Sequence, residues 1–95
     1  MGCYVDKESD RDLDGTIKQG KHYTPNICMA ECAAGGYLYA GLQSHEEHGH
    51  QCLCGNSYGK HDEATNCYHV CTADTSKACG GDGSNSVYLA YRGMN

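Results

Sequence analysis

The sequence predicts a small, disulfide-rich α+β domain that is rich in loops, with one main helix stapled by two disulfides to a short antiparallel sheet. The first observation is that eight of the 95 residues are cysteines. The second is their spacing. Cys28 and Cys32 match one face of a helix, where positions four apart rise about 6 Å. Cys52 and Cys54 match one face of a strand, where positions two apart are about 6.6 Å apart. Because the two steps match, a helix laid along a strand can be joined to it twice with ordinary disulfide geometry.

The first half of the chain predicts one strand and one helix. Gly2–Val5 is a short opening strand, and residues 6–15 are charged and have the composition of turns. Thr24 suits the N-cap of a helix, and the proline that follows it suits the first helical turn. Since two glycines begin at Gly35 and favour a stop, the helix is predicted over Pro25–Ala34.

The second half predicts short strands between polar loops. Residues 37–43 alternate so that Leu38, Ala40 and Leu42 share a face, and we expect that face to meet the core. The remaining predictions are a polar loop over 44–51, a strand over 52–54, a turn over 55–59, one helical turn over 67–71, a loop over 73–85 and a closing strand over 86–91.

Composition places the chain outside the cytosol and away from several classes of ligand. An even cysteine count at this density suits the secretory pathway or the cell surface. The formal charge is −5 and the seven basic residues are scattered, which argues against nucleic acid and anionic membranes as partners. Without a long apolar run, no direct membrane insertion is expected. We expect a single domain over residues 1–95, excised from a longer secreted or membrane-anchored protein, and no cofactor.

Short motifs around the cysteines occur in a definite order. They are Gly2-Cys3-Tyr4 with Asp6, Arg11 and Leu13; Thr24 before Cys28 and Cys32; Gly36-Tyr37 running into Ala40-Gly41-Leu42-Gln43; Cys52-Leu53-Cys54-Gly55-Asn56; Cys67 and Cys71; Cys79-Gly80-Gly81; and Ser86-Val87-Tyr88. From residue 2 to about residue 91 this order resembles the WSC domain, a small extracellular module of cell-wall stress sensors and animal surface proteins. The loop at 44–50 is longer than is usual in that family.

The resemblance implies a disulfide pairing that spacing alone does not choose. The implied pairs are Cys3 with Cys67, Cys28 with Cys52, Cys32 with Cys54, and Cys71 with Cys79. The helix should then run in roughly the same direction as the strand of Cys52 and Cys54. The resemblance also implies that Arg11 pairs with a carboxylate and that Leu13 packs in the interior.

The resemblance further implies binding of a polysaccharide or oligosaccharide, and tyrosine is the residue type that can provide it. Sugars stack their CH faces on aromatic rings and hydrogen-bond to amide and carboxylate side chains. With no Trp or Phe, all eight aromatic rings are tyrosines, and some of them must fill the core. The candidate sugar-contacting residues are Tyr58, Tyr68, Asn56, Tyr23, Tyr39, Gln43, Asp82 and Asn85.

Three histidines in one polar loop are weak candidates for metal ligands. His45, His48 and His50 lie within six residues, and imidazole is a ligand for zinc, copper and nickel. A loop that contains glycine lacks the surrounding hydrogen bonds that fix such ligands, so no metal is expected. No catalytic signature is present, and we expect a protein that is not an enzyme.

Two functions remain open at this point. The first is an extracellular module that binds or senses carbohydrate. The alternative is a protein-interaction or structural module of a surface receptor or adhesin, in contact with neighbouring domains of its parent protein. Exposed tyrosines with Asn or Asp around a shallow groove would favour sugar, whereas a broad apolar patch would favour protein.

Overall fold

A five-stranded antiparallel sheet with one helix packed on one face forms the framework of the domain. The structure is a computed structural model, and it describes residues 2–45 and 49–90. The elements are β1 (Gly2–Val5), β2 (Thr16–Gly20), α1 (Pro25–Ala34), β3 (Tyr39–His45), β4 (Gly49–Gly55) and β5 (Ser84–Leu89), and the strands lie in the order β1-β5-β3-β4-β2. The predicted α+β class is confirmed.

The helix begins and ends at the predicted residues. Thr24 is the N-cap, and its hydroxyl accepts a hydrogen bond from the Ile27 amide at 3.4 Å. At the other end the Gly35 amide donates to the Glu31 carbonyl at 3.1 Å, and the chain then turns away at Gly36, whose φ is +84°. Because only glycine adopts such a φ without strain, the glycine pair ends the helix.

Two disulfides fix α1 to β4. Cys28 bonds to Cys52 and Cys32 to Cys54, with Cα–Cα distances of 5.5 and 5.3 Å. The other two bonds join Cys3 to Cys67 and Cys71 to Cys79, so the structure contains the four pairs that the resemblance implies. Since the first helical cysteine joins the first strand cysteine, α1 and β4 run in the same direction.

Both faces of β3 are buried, which differs from the single core face that was predicted. Ala40 and Leu42 pack against the helix and the buried cysteines. The opposite face is covered by Leu13, which lies over Gly41 with Leu53 and Val87 beside it. A Cβ at Gly41 would lie 2.3 Å from Cδ1 of Leu13, so the glycine allows this close approach. The predicted packing of Leu13 is confirmed.

A buried carboxylate connects the 6–15 loop to the sheet. Asp6 accepts hydrogen bonds from the Arg11 guanidinium, from the Asp12 amide at 2.8 Å and from Nε2 of Gln43 at 2.9 Å. The same amide group of Gln43 also donates to Oδ1 of Asn85 at 3.1 Å. The predicted pairing of Arg11 with a carboxylate is therefore confirmed, and the partner is Asp6.

Several predicted boundaries were wrong. β3 begins at Tyr39 and ends at His45, so Leu38 precedes the strand and is 40 % exposed rather than in the core. The predicted loop over 44–51 is mostly strand, because β3 and β4 pair as a hairpin as far as His45 and Gly49. The closing strand starts two residues earlier than predicted, and the predicted end at Tyr91 lies outside the described residues.

Residues 67–71 are extended, not helical. The Cys79 amide donates to the His69 carbonyl at 2.6 Å, and the Cys71 amide donates to the Lys77 carbonyl at 2.9 Å. These bonds and the Cys71–Cys79 disulfide hold the segment against residues 77–80, so its backbone groups are paired without a helix. The segment forms one wall of a cleft against the β3–β4 hairpin.

Candidate functional site

A cleft of about 320 Å³ lies at the end of the β3–β4 hairpin where His45 pairs with Gly49. One wall comes from the hairpin and from the residue after β2, and the other comes from the 67–82 segment. Its lining is polar and contains three imidazoles: Lys21, Ser44, His45, Gly49, His50, His69, Thr72 and Asp82. This volume is within the range of small-molecule sites, and the mixture of donors and acceptors suits a hydroxyl-rich ligand.

His50 links the two walls through both of its ring nitrogens. The Thr72 amide donates to Nε2 at 2.9 Å, so this nitrogen is the unprotonated acceptor of the ring. Nδ1 lies 3.0 Å from Oγ of Ser44, which in turn lies 2.6 Å from the Cys79 carbonyl. The consistent assignment is that Nδ1 donates to Ser44, and that the Ser44 hydroxyl donates to Cys79. A neutral His50 therefore holds the cleft together.

The link through His50 makes the stability of the domain pH-dependent. Burial lowers the pKa of His50, and the nearby His69 lowers it further. Between that lowered pKa and the ordinary value near 6.5, the unfolded chain binds the proton more readily than the folded chain does. The stabilisation is therefore complete above about pH 6.5 and is lost as the pH falls below it. Urea unfolding from about pH 7.5 to 5 should show this loss.

A His50→Gln variant provides the control for this pH dependence. Glutamine can still accept a hydrogen bond from the Thr72 amide, but it does not titrate. The difference in unfolding free energy between the two proteins should therefore shrink as the pH falls. Parallel curves for the two proteins would contradict the assigned role of His50.

An exposed pair of rings borders the cleft. Tyr68 is 73 % exposed, and its ring lies parallel to that of His69, with the centroids 5.8 Å apart and an angle of 6° between the planes. His69 lines the cleft, and Tyr68 lies against the ring of His69 without being part of the lining. This is the only candidate tyrosine among the described residues that is mostly exposed.

Two opposite charges in the cleft are not paired with one another. Lys21 and Asp82 both line it and both are exposed, and neither takes part in an ion pair among residues 2–45 and 49–90. The Asp82 backbone carbonyl accepts from Nδ2 of Asn66 at 3.1 Å, which fixes the turn that carries the carboxylate. Both side chains therefore remain available to a ligand.

The tyrosines on the opposite face of the sheet form a different environment. Tyr58 is half-buried and meets Tyr4 and Tyr39 edge-on, with centroid distances of 5.0 and 4.7 Å. All three pack on the Leu13 side of the core, so they present edges rather than one flat face. Asn56 lies at the end of the same sheet, where its Oδ1 accepts from the Leu38 amide at 3.0 Å. The candidates Tyr39, Tyr58 and Asn56 are therefore far less suited than Tyr68 to stack on a sugar.

Three of the candidate sugar-contacting residues lie in the interior of the domain. Tyr23 is 2 % exposed, and its hydroxyl donates to Glu31 at 2.7 Å. Burial and that carboxylate raise the pKa of Tyr23 to about 12. Gln43 and Asn85 are both buried in the hydrogen-bond network of Asp6. The candidates that lie at the cleft are thus Asp82 and, beside it, Tyr68.

Among the described residues, the weak metal candidates His45 and His50 do not belong to a group of three close potential ligands. His50 already uses both ring nitrogens, and His48 lies outside the described residues. Across the described parts of the chain, the one group of three close potential ligand atoms belongs to Cys28, Cys32 and Cys52. These sulfurs are all in disulfides and carry no thiolate, so they do not form a metal site.

Comparison with known proteins decides the family. The family model of the WSC domain matches residues 1–81. This chain belongs to the WSC domain family. Kremen protein 1 of Rattus norvegicus is 39 % identical over 87 residues, and Kremen protein 2 of Homo sapiens is 32 % identical over 92 residues. These matches cover 87 % and 93 % of the chain.

The WSC domain is one part of each of those relatives. The chain spans 18 % and 19 % of the two Kremen proteins, and 10 % of Xylosyltransferase oxt of Drosophila pseudoobscura pseudoobscura, which is 31 % identical over 94 residues. With its four disulfides, this WSC domain is an extracellular module. Within the described residues, no helix has the length and hydropathy needed to cross a membrane.

Sequence reasoning missed most of the cleft of this WSC domain. Lys21, Ser44, His69 and Thr72 were not candidates, because no local motif marks them. One signal was present: His69 and Thr72 flank Cys71, and the implied bond from Cys71 to Cys79 brings them to within a few residues of Asp82.

Proposed function

We propose that this WSC domain is a non-catalytic carbohydrate-binding module and that the cleft bordered by Tyr68 and His69 is its site. The observation that carries the proposal is the exposed, parallel pair of rings beside a polar cleft. The cleft also contains a carboxylate and an ammonium group that form no ion pair among the residues the structure describes. Aromatic rings stack on the CH faces of a sugar, while charged and hydroxyl side chains hydrogen-bond its rim.

The size of the site indicates weak binding to a single short ligand. One exposed ring and a few polar groups support a dissociation constant on the order of 0.1 to 1 mM, or about 4 to 5.5 kcal/mol. Retention on a cell wall would then depend on a polymer with repeated units or on several domains bound together. The ligand class is accordingly a polysaccharide or an oligosaccharide from it.

Tyr68→Ala should weaken carbohydrate binding about five- to tenfold, since it removes the stacking surface, which is worth ~1 kcal/mol. Because Tyr68 is mostly exposed, the melting temperature should not change. The measurement is co-sedimentation with insoluble β-glucan, chitin and xylan, followed by calorimetry with an oligosaccharide of the polymer that retains the domain.

Matched variants separate the cleft from the rest of the surface. Tyr68→Leu keeps the apolar area but not the flat ring, and it should bind as weakly as Tyr68→Ala. Asp82→Asn should also weaken binding, whereas Asp62→Asn changes an exposed carboxylate away from the cleft and should not. No retention of the parent domain on any polymer, or equal binding by all four variants, would sink the proposal.

A further inference from the structure

The two edge strands of the sheet, β1 and β2, differ in whether other backbone covers their outer side. At the β1 edge, the Val5 amide donates to the Asp62 carbonyl and the Ala64 amide donates to the Cys3 carbonyl, both at 2.9 Å. Residues 62–64 therefore act as a short extra strand along β1, with Tyr4 bridged to Glu63. This covers the row of backbone donors and acceptors that an edge strand otherwise presents to solvent.

The β2 edge has no such cover. In the described parts of the chain, Thr16–Gly20 forms backbone hydrogen bonds with β4 alone. Its five residues pair with His50 to Cys54 without a bulge, it contains no proline, and Ile17 is 42 % exposed. Among residues 2–45 and 49–90, no bulge, proline or covering loop blocks the edge of β2, and its one charged residue is Lys18, which opposes strands of like charge. Its outer side can therefore accept another strand.

The open edge is also the basic part of an acidic domain. Residues 16–21 contain two of the chain's seven Lys and Arg residues and none of its twelve Asp and Glu residues. Lys18 and Lys21 are exposed, and neither forms an ion pair within residues 2–45 and 49–90. A strand added at this edge gains from acidic side chains opposite Lys18, because opposite charges on directly paired positions attract.

The same lysine disfavours a second copy of this chain as the added strand. Lys18 is the middle residue of β2, so two aligned antiparallel copies place Lys18 directly opposite Lys18, which is repulsive. Each copy also carries a net charge of −5. Charge therefore disfavours a second copy of β2 in the aligned register and favours an added strand that carries acidic side chains.

We propose that β2 binds an extended acidic segment of a partner protein by antiparallel strand addition, with an acidic side chain opposite Lys18 and an apolar one opposite Ile17. Backbone hydrogen bonds along the open edge provide the binding, and the side chains that alternate on the two faces select the partner. This surface is on the edge of the sheet, and the inference does not depend on carbohydrate binding at the cleft.

A capped octapeptide of alternating glutamate and valine is the probe. It should be added to the ¹⁵N-labelled domain up to about 5 mM, since a short strand is expected to bind with a dissociation constant near 1 mM, or ~4 kcal/mol. We expect amide shift changes and slower hydrogen exchange in Thr16–Gly20. Raising the salt from about 0.05 to 0.5 M should weaken the binding, and a peptide N-methylated at alternate residues should not bind.

Charge reversal tests the choice of partner. Lys18→Glu should weaken binding of the glutamate peptide about fivefold and should create binding of the corresponding lysine–valine peptide. Lys77→Glu makes the same charge change at an exposed site away from β2 and should leave both results unchanged. The proposal is overturned if both peptides bind the parent equally, if the shifts lie outside β2, if no peptide binds, or if the domain dimerises through β2.

Discussion

Replacing Asp6 with alanine is expected to lower the free energy of unfolding by about 3 to 5 kcal/mol, because one buried carboxylate satisfies three donors at once. Without it the Arg11 guanidinium loses its partner, and the Asp12 amide and Nε2 of Gln43 lose an acceptor in the interior. Unpaired buried donors are costly since no water replaces the lost bond. As small domains are stable by only about 5 to 15 kcal/mol, this loss is a large fraction of the total.

The measurement is urea unfolding at neutral pH, with the disulfides intact. Asp14→Ala removes an exposed carboxylate from the same loop and should change stability by less than about 0.5 kcal/mol. Asp6→Asn keeps one acceptor oxygen and should lie between the two. If Asp6→Ala and Asp14→Ala had the same effect, the hydrogen-bond network around Asp6 would not be what connects the 6–15 loop to the sheet.

Replacing Gly80 with alanine is expected to cost about 3 kcal/mol or more, because the new methyl group has no room. Its φ is +79°, and a Cβ there would lie 1.8 Å from the Leu42 carbonyl oxygen and 2.9 Å from Cα of Gln43. Those are backbone atoms of the central strand β3, which does not give way as a flexible side chain would. The 79–82 turn must therefore move, and the cleft wall that carries Asp82 moves with it.

Gly83→Ala is the matched control for this prediction. Gly83 has a similar φ of +73°, but no atom lies within 4 Å of a Cβ placed there. It should show only the cost of a left-handed backbone, about 1 to 2 kcal/mol. Thermal unfolding of both variants gives the comparison, and carbohydrate binding by Gly80→Ala should fall as well. Equal destabilisation by the two substitutions would rule out a steric role for Gly80.

The helix and the cysteine framework could be predicted because their signals are local. The helix signals lie within one turn of its ends: Thr24 and the proline after it at the start, and the glycine pair at the end. The spacing of the cysteines indicates which residues of the helix and of the strand share a face. β2 was missed because residues 16–19 are all exposed and its last residue is a glycine, so it shows no buried periodicity. It is a strand because it pairs with β4, and this pairing depends on the tertiary structure and not on the local sequence.

The tyrosines show why the site was only partly predictable. Tyr23 and Tyr68 each have a histidine as a direct neighbour in the sequence, yet one is in the core and the other is on the surface. The same holds for the histidines: His50 is fixed by Thr72, which is 22 residues away, whereas the loop composition around it predicts a solvated side chain. Contacts of this separation depend on the completed sheet and disulfides, so no local pattern contains them.

The Cys3–Cys67 bond determines how the domain responds to mechanical tension. When a longer chain is pulled on both sides of the domain, load passes from Cys3 directly to Cys67 through a covalent bond, so β2, α1, β3 and β4 are shielded from extension. The stretch after Cys67, which contains Tyr68, Asp82 and β5, carries the load, except for residues 72–78, which the Cys71–Cys79 bond shields. Of the two cleft walls, stretching would therefore pull away the one with the exposed ring while the other stayed folded, so the cleft would open under force before the stapled core unfolds.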